Sequence, residues 1–383
     1  MIRKLSIENL KCFESLELDF APLTLFTGFN AAGKSTVLQA LLLLTQTLRG
    51  GRGTSELLLN GPLVSLGSPL DVLNTTSGAK TLSLGVEIDG INLSWRFDLE
   101  EAGRRSLRIA ELIKSNGLEI QRFSGADLVG LAPQAAVGEL ESALQALEQA
   151  VFLSASRQIE SEVFPAPLNS QVRRGDVGVL GQFAPWWLYA EGDAKVEKAR
   201  RTEPNAVTMR AQLNSWCNEV FPGAEANALP INRTSLMRLE LRSGPTTDWG
   251  SPANIGYGVG YAFPILVAGL TGAPDRMVII DSPEAHLHPR GQSQIGLFLA
   301  RMASAGSQIL LETHSDHLLN GLRIAVRKEV LKPQDVAIYF FSQNAASRVT
   351  RLSVDKWGGI SDWPEGFFDQ SERDLADLAG WER

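Results

Sequence analysis

The first 30 residues alternate between apolar and polar positions. Leu5, Ile7 and Leu10, then Leu16, Leu18 and Phe20, then Leu23, Leu25 and Phe26 predict three short strands. The run from Val37 to Leu44 predicts an apolar helix over 37–49, closed by the glycines at 50, 51 and 53. Residues 56–98 read as further strands, notably Thr81–Ile88 and Ile91–Phe97, with Asp89-Gly90 between them as a hairpin turn. Leu140, Leu144 and Leu147 recur at helical spacing, so an amphipathic helix is expected around 137–150. Residues 155–250 are the least regular, with scattered prolines and the pair Trp186-Trp187, and predict an inserted helical subdomain with mobile loops.

From residue 277 a β–α rhythm returns. Strands are expected at Met277–Ile280, Gln308–Leu311 and Val336–Phe341, with helices at Gln292–Ala303 and His317–Val330 between them. Such alternation implies a parallel sheet with flanking helices, hence an α/β fold class. The reading divides the chain at 1–100, 101–250 and 251–383. No internal repeat, low-complexity tail or heptad run long enough for a coiled-coil arm is present.

Composition changes this picture little. At 383 residues the chain can bury a large core. No run of about 18 apolar residues occurs, so no membrane span is expected. The amino terminus enters strand-like alternation directly, without the apolar stretch of a signal peptide. Cys12 and Cys217 lie far apart and outside any metal-ligand spacing, and are expected to be buried reduced thiols in a cytoplasmic protein. A net charge of −7 gives no general argument for nucleic acid.

The chemistry concentrates in a few stretches. Gly28-Phe-Asn-Ala-Ala-Gly-Lys-Ser-Thr36 is a complete phosphate-binding loop, G-x-x-x-x-G-K-S, between an expected strand and an expected helix. The glycines let backbone N–H groups turn onto phosphate oxygens, and the helix start adds its positive dipole end. Lys34 is expected to reach the β- and γ-phosphates of ATP, and the Ser35 hydroxyl to face Mg²⁺. The strand at 277–280 ends in Asp281, placed to hold Mg²⁺, and Glu284 is the nearest carboxylate able to orient or deprotonate a water. His314 follows another strand, at the carboxyl end where ligands of α/β sheets bind, and is expected to contact the γ-phosphate or the attacking water. His286 and His288 are i, i+2 and have no third ligand nearby, which favours packing over metal binding. Asn254-Ile-Gly-Tyr-Gly-Val-Gly260 is a second glycine-rich segment before an apolar helix expected from about Phe263. Lys195, Lys198, Arg200 and Arg201, with Arg173 and Arg174, are interleaved with Glu191, Asp193, Glu197 and Glu203, so a solvated mixed-charge surface is favoured over a nucleic-acid face.

Taken in order, Ile7–Phe13, the phosphate loop, the 254–258 segment, Asp281–Pro289 and Glu312-Thr-His-Ser315 resemble the ATP-binding head of the SMC, RecF and OLD branch of ABC-type ATPases. They look most like compact bacterial ATPases with "NPEAHLHP" and "ETHS" segments, many of which sit in phage-defence operons. The resemblance covers the chain outside roughly residues 100–250. It implies a P-loop ATPase head built from both ends of the chain: a mixed or parallel sheet with flanking helices, an N-terminal antiparallel β region and a helical insertion. It implies that Gly28, Asn30, Gly33, Lys34, Ser35 and Thr36 bind the phosphates and Mg²⁺, and that Lys11 touches phosphate. Asp281 becomes the Mg²⁺ acid and His314 the switch histidine. Asn254, Gly256 and Gly258 stand in for the signature motif that closes on the nucleotide of a second subunit, so a homodimer with sandwiched ATP is expected.

Two positions depart from the pattern. Ser282 stands where most ABC ATPases carry the catalytic Glu, leaving Glu284 to take over or turnover to be slow. No clear Q-loop glutamine is found, and Leu66–Asp71 occupies about that region. An OLD nuclease would continue into a metal-binding nuclease domain, so nuclease activity of this chain by itself is not expected. Three roles follow: an ATPase controlling a separate effector protein in defence, a RecF-like DNA-binding repair ATPase, or a poorly hydrolysing ATP-gated scaffold.

Overall fold

The computed structural model describes residues 1–50, 55–100, 106–134, 136–157, 161–167, 173–254, 257–343 and 348–380, the side chain of Tyr257 excepted. The elements begin with β1 Ile2–Leu10, β2 Phe13–Asp19, β3 Leu23–Gly28, α1 Lys34–Arg49, α2 Pro69–Val72, β4 Thr81–Ile88, β5 Ile91–Leu99, β6 Leu107–Ser115 and β7 Ile120–Ser124. They continue through β8 Leu128–Val129, β9 Ala132–Pro133, α3 Glu139–Glu148, β10 Val151–Leu153, β11 Val163–Pro165, α4 Ala184–Glu191, α5 Met209–Val220, β12 Glu225–Pro230 and β13 Leu236–Arg242. The last third holds α6 Tyr257–Thr271, β14 Met277–Asp281, α7 Pro289–Ser304, β15 Gln308–Glu312, α8 Asp316–Arg327, β16 Val336–Phe341, β17 Val349–Leu352 and α9 Gln370–Leu378. Among the described residues no helix is long and apolar enough to cross a membrane.

The chain divides into two compact units. The first comprises residues 1–21, 33–152 and 275–277. Its frame is a six-stranded antiparallel sheet, β2-β1-β4-β5-β6-β7. The amino-terminal alternation is its cause, since Ile2, Leu5, Ile7 and Leu10 all point into the core. Asp89-Gly90 turns β4 into β5 and sets Ile88 opposite Ile91. Trp95 on β5 is fully buried and donates its indole N–H to the Leu131 carbonyl at 2.8 Å. β6 and β7 lengthen this sheet past residue 100, where the sequence suggested that an insertion begins. α1 is buried along most of its length and is joined to the region of α3 by Thr45 Oγ1 to the Leu147 carbonyl at 3.1 Å and Arg49 Nε to the Glu148 carbonyl at 2.9 Å. It starts at Lys34, three residues ahead of the expected Val37, because apolar periodicity cannot register a polar first turn.

The second unit comprises residues 22–32, 153–274 and 278–383. Its sheet runs β10-β14-β15-β3-β16-β17, and β10 is the strand along which the chain passes into this unit. β3 is parallel to both β15 and β16, while β17 returns antiparallel on β16. Every residue of β15 and β16 is buried, as expected for parallel strands covered on both faces. The stretch 155–250, read from the sequence as helical, is mixed. It carries α4 and α5 together with a three-stranded antiparallel sheet, β11-β13-β12. β12 escaped notice because its inward positions are Ala226 and Ala228, too small to register as an apolar alternation.

Candidate nucleotide-binding site

β3 delivers the phosphate loop to the carboxyl end of the parallel strands. Gly28 closes the strand at φ 127°, so near the Phe341 backbone that an added Cβ would lie 2.1 Å from its carbonyl oxygen. The next N–H, of Phe29, donates to that same carbonyl at 2.9 Å. Ala31 is left-handed at φ 60°, and Gly33, at φ 111°, leads into α1. The helix has no side-chain cap and no acid in its first turn, so nothing there offsets the positive dipole end, which favours an anion. Lys34 and Thr36 are buried, whereas Ser35 and Asn30 are exposed. Lys11, left-handed at φ 48°, donates its ammonium to Gln39 Oε1 at 2.7 Å, one turn along α1, and burial lowers its pKa.

The same edge of the sheet gathers the other expected residues of the second unit. β14 ends in Asp281, and Ser282 follows in a left-handed conformation at φ 49°. The Ser282 hydroxyl donates to Asp281 Oδ1 at 2.8 Å, and its N–H donates to the Glu312 carbonyl at 2.9 Å. Two turns of chain are then clasped by one side chain. Glu284 Oε2 accepts from the Thr313 hydroxyl at 2.7 Å, and Oε1 accepts from the His314 N–H at 2.8 Å. His314 itself is exposed at this edge.

His286 and His288 each have a packing role. The His286 ring lies 4.3 Å from that of Tyr261, and His288 caps α7 by accepting from the Arg290 N–H at 3.3 Å. The glycine-rich segment divides. Asn254 ends a short 3-10 turn and is exposed, Gly256 lies outside the described residues, and Gly258 sits in the first turn of α6. α6 begins at Tyr257 rather than near Phe263, with Pro264 inside it. The basic residues between 173 and 201 are largely committed to the chain. Arg174 forks onto both oxygens of Glu191 at 2.8 Å, Arg200 is buried and donates to the Gly269 carbonyl at 2.6 Å, and Arg201 donates to the Val196 carbonyl at 2.9 Å.

The chain resembles known proteins in sequence over separate stretches and in fold. Residues 1–160 match the family model "AAA ATPase domain", and residues 191–320 match "AAA domain, putative AbiEii toxin, Type IV TA system". Residues 331–378 match "Protein of unknown function (DUF3696)". The chain superposes with a TM-score of 0.53 on an SMC head bound to the C-winged helix domain of ScpA, at 13% identity over 93% of this chain and 98% of that one. With a TM-score of 0.51 it superposes on a Pyrococcus furiosus-derived SMC head with an extended coiled coil bound to the C-terminal domain of ScpA, at 14% identity over 99% of each chain. Its fold is that of an SMC head domain. The chain is also 23% identical, over 88% of its length, to the OLD nuclease of Thermus scotoductus (strain ATCC 700910 / SA-01), and spans 63% of the length of that relative.

One residue of the head was not singled out from the sequence. Arg157 is 3% exposed and follows β10, the neighbour of β14 in the sheet. Its Nη1 donates to the carbonyls of Ser154 and Asp281, each at 2.9 Å, and its Nη2 to the Ser282 carbonyl at 2.7 Å. The guanidinium lies 5.4 Å from the Tyr261 ring centroid. Burial lowers its pKa to about 10, against the attraction of Asp281 and Glu284, so it remains cationic at neutral pH. Arg157 therefore braces the peptide planes on both sides of Ser282. The sequence signal was thin, a single arginine at the end of Ser154-Ala-Ser-Arg157. Arg157 thus ties the segment after β10 to the end of β14, whereas Leu66–Asp71, suggested from the sequence for the Q-loop region, belongs to the first unit around α2.

Proposed function

We propose that this chain is an ATPase whose ATP-bound heads pair, and that pairing controls a separate effector protein in anti-phage defence. The observation that carries nucleotide binding is the start of α1: two glycines at positive φ, no capping side chain, no acid in the first turn, and a lysine as its first residue. That donor set suits a triphosphate, with Gly28, Asn30, Gly33, Lys34, Ser35 and Thr36 as its binding residues. Ser35 and Asp281 are the hydroxyl and carboxylate suited to Mg²⁺, which when bound neutralises charge on the phosphoryl group being transferred. Glu284 orients the turn at Thr313 and His314. Each of its oxygens keeps a lone pair with which to polarise the attacking water. Asn254, Gly256 and Gly258 reach the nucleotide held by a second copy.

The effector is a nuclease or a toxin in this reading. Support comes from the toxin named in one matched family and from the relative named a nuclease. The RecF-like alternative has less to stand on, since Arg174, Arg200 and Arg201 are engaged within the chain. The test is the mass of the protein in solution, with and without Mg-ATP, measured alongside phosphate release. Wild type is expected to double in mass with ATP and to release phosphate, and Lys34→Ala to do neither. A mass that ignores ATP in a protein that still hydrolyses it would remove head pairing from the proposal.

A further inference from the structure

The carboxyl-terminal segment, whose matched family carries no function, reaches back to the phosphate loop. Phe29, the first variable residue of that loop, lies with its ring 5.9 Å from Phe340 on β16. Phe340 meets Phe367 edge-on at 5.6 Å, and Phe367 in turn meets Trp363 and Phe368, each at 5.0 Å. Phe367 is 1% exposed. Gly366 sits directly against Phe29. It has φ +84°, and a Cβ built on it would stand 2.3 Å from Phe29 Cζ. Only glycine satisfies both conditions there.

This aromatic seat is itself fastened. The Gly366 N–H donates to Asp369 Oδ2 at 3.1 Å, and Asp369 holds Arg373 of α9 through Nε at 2.9 Å. Arg323 of α8 lies 5.6 Å from the Trp363 ring and donates to the Gly358 carbonyl at 2.6 Å. The Phe29 ring is 40% exposed and borders a cavity of about 420 Å³ lined also by Phe340, Gln343, Thr350 and Arg373. The ring is therefore held on one side and open on the other. A push from the Gly366 side would displace the ring and, through it, strain the loop backbone.

We propose that the turn Trp363–Asp369 is a positioning element for the first half of the phosphate loop, acting through the Phe29 ring. This rests on the reading of the loop as a nucleotide site. It gives the carboxyl-terminal segment a role in nucleotide affinity. Phosphate binding by backbone N–H groups depends on their aim, and each hydrogen bond to a charged group that is lost lowers affinity on the order of 10-fold or more.

The experiment measures equilibrium binding of a fluorescent, non-hydrolysable ATP analogue, with the nucleotide-free melting temperature as a check on folding. The variants are Gly366→Ala, Phe29→Ala, the double variant and Phe29→Leu. Gly90→Ala controls for backbone strain, since Gly90 has φ +85° with nothing within 4 Å of an added Cβ. Gly366→Ala is expected to weaken binding by about 10-fold or more. The double variant should bind no worse than Phe29→Ala, because the clash is gone, and Gly90→Ala should bind as wild type. Phe29→Leu, which loses the ring contact with Phe340, should weaken binding about 3-fold or more without a large fall in melting temperature. Wild-type affinity in Gly366→Ala, or strictly multiplicative losses in the double variant, would overturn the proposal. Should Gly366→Ala not fold, wild-type affinity in Phe29→Leu overturns it equally. Absence of binding in the wild type would instead sink the nucleotide reading on which the proposal rests.

Discussion

Glu284 and Thr313 are joined by a 2.7 Å hydrogen bond from hydroxyl to carboxylate, across 29 positions of sequence. With the second bond, from the His314 N–H, it makes one carboxylate the organiser of both loops that follow β14 and β15. Glu284→Gln keeps an acceptor for His314 and can donate its amide to Thr313, but it cannot take a proton from water. Steady-state phosphate release is expected to fall about 100-fold, with nucleotide affinity within about 3-fold of wild type and a longer-lived ATP-bound dimer. Glu284→Ala also frees the 313–314 turn and should fall further. Wild-type turnover in Glu284→Gln would leave Glu284 as a clasp alone.

Arg157 should behave as a brace. Arg157→Met removes the donors to Asp281, Ser282 and Ser154 while keeping bulk. Amide hydrogen exchange is expected to rise in residues 279–287 and to change little in β16. Arg157→Lys restores the charge and one bond at most, and should lie between. Exchange that rises uniformly through the second unit would mean a general loss of stability instead.

The two cysteines should differ in reactivity. Cys217 is 1% exposed, and burial pushes its thiol up to about 12 from an ordinary value of 9.0. A raised folded-state pKa means that the native protein holds this proton when the unfolded chain has released it. Its contribution to stability is complete below about pH 9 and is lost as pH rises towards 12, at about 1.4 kcal/mol per pH unit. Iodoacetamide at pH 8 should label half-buried Cys12 and spare Cys217, and denaturation of Cys217→Ala between pH 9 and 11 should show a shallower alkaline fall than wild type.

Gln46 offers a change of stability remote from the proposed chemistry. Buried on α1, its amide donates to the Leu58 carbonyl at 2.6 Å and accepts from the N–H groups of Leu63 and Val64 at 3.3 and 3.0 Å. Gln46→Leu leaves those groups without that partner. A loss of about 2–3 kcal/mol in urea denaturation is expected, and unchanged stability would show that the segment after α1 finds other partners.

Much of this was legible because the informative residues are local. Gly28 to Thr36 announces its own geometry, and Met277–Asp281 and Gln308–Glu312 are short apolar runs that end in polar chemistry. What stayed hidden depends on distant partners. Nothing near Arg157 says that two of its three acceptors lie past residue 280, and nothing near Phe29 says that its seat is Gly366. β12 was lost to small side chains. β17 and α9 were not anticipated either, the helix because it has no buried residue to mark a face.

The parallel pairing of β3 with β16 has a consequence for the order of events at the ribosome. Gly28 is seated on Phe341, and the two are synthesised about 300 residues apart. At 5–20 residues per second this interval is roughly 15–60 s. For most of that time the emerging strand has neither of its neighbours, β15 following only about 30 residues before Phe341, and Gly28 has no seat. A chain cut short before residue 341 would thus lack the backbone on which Gly28 rests.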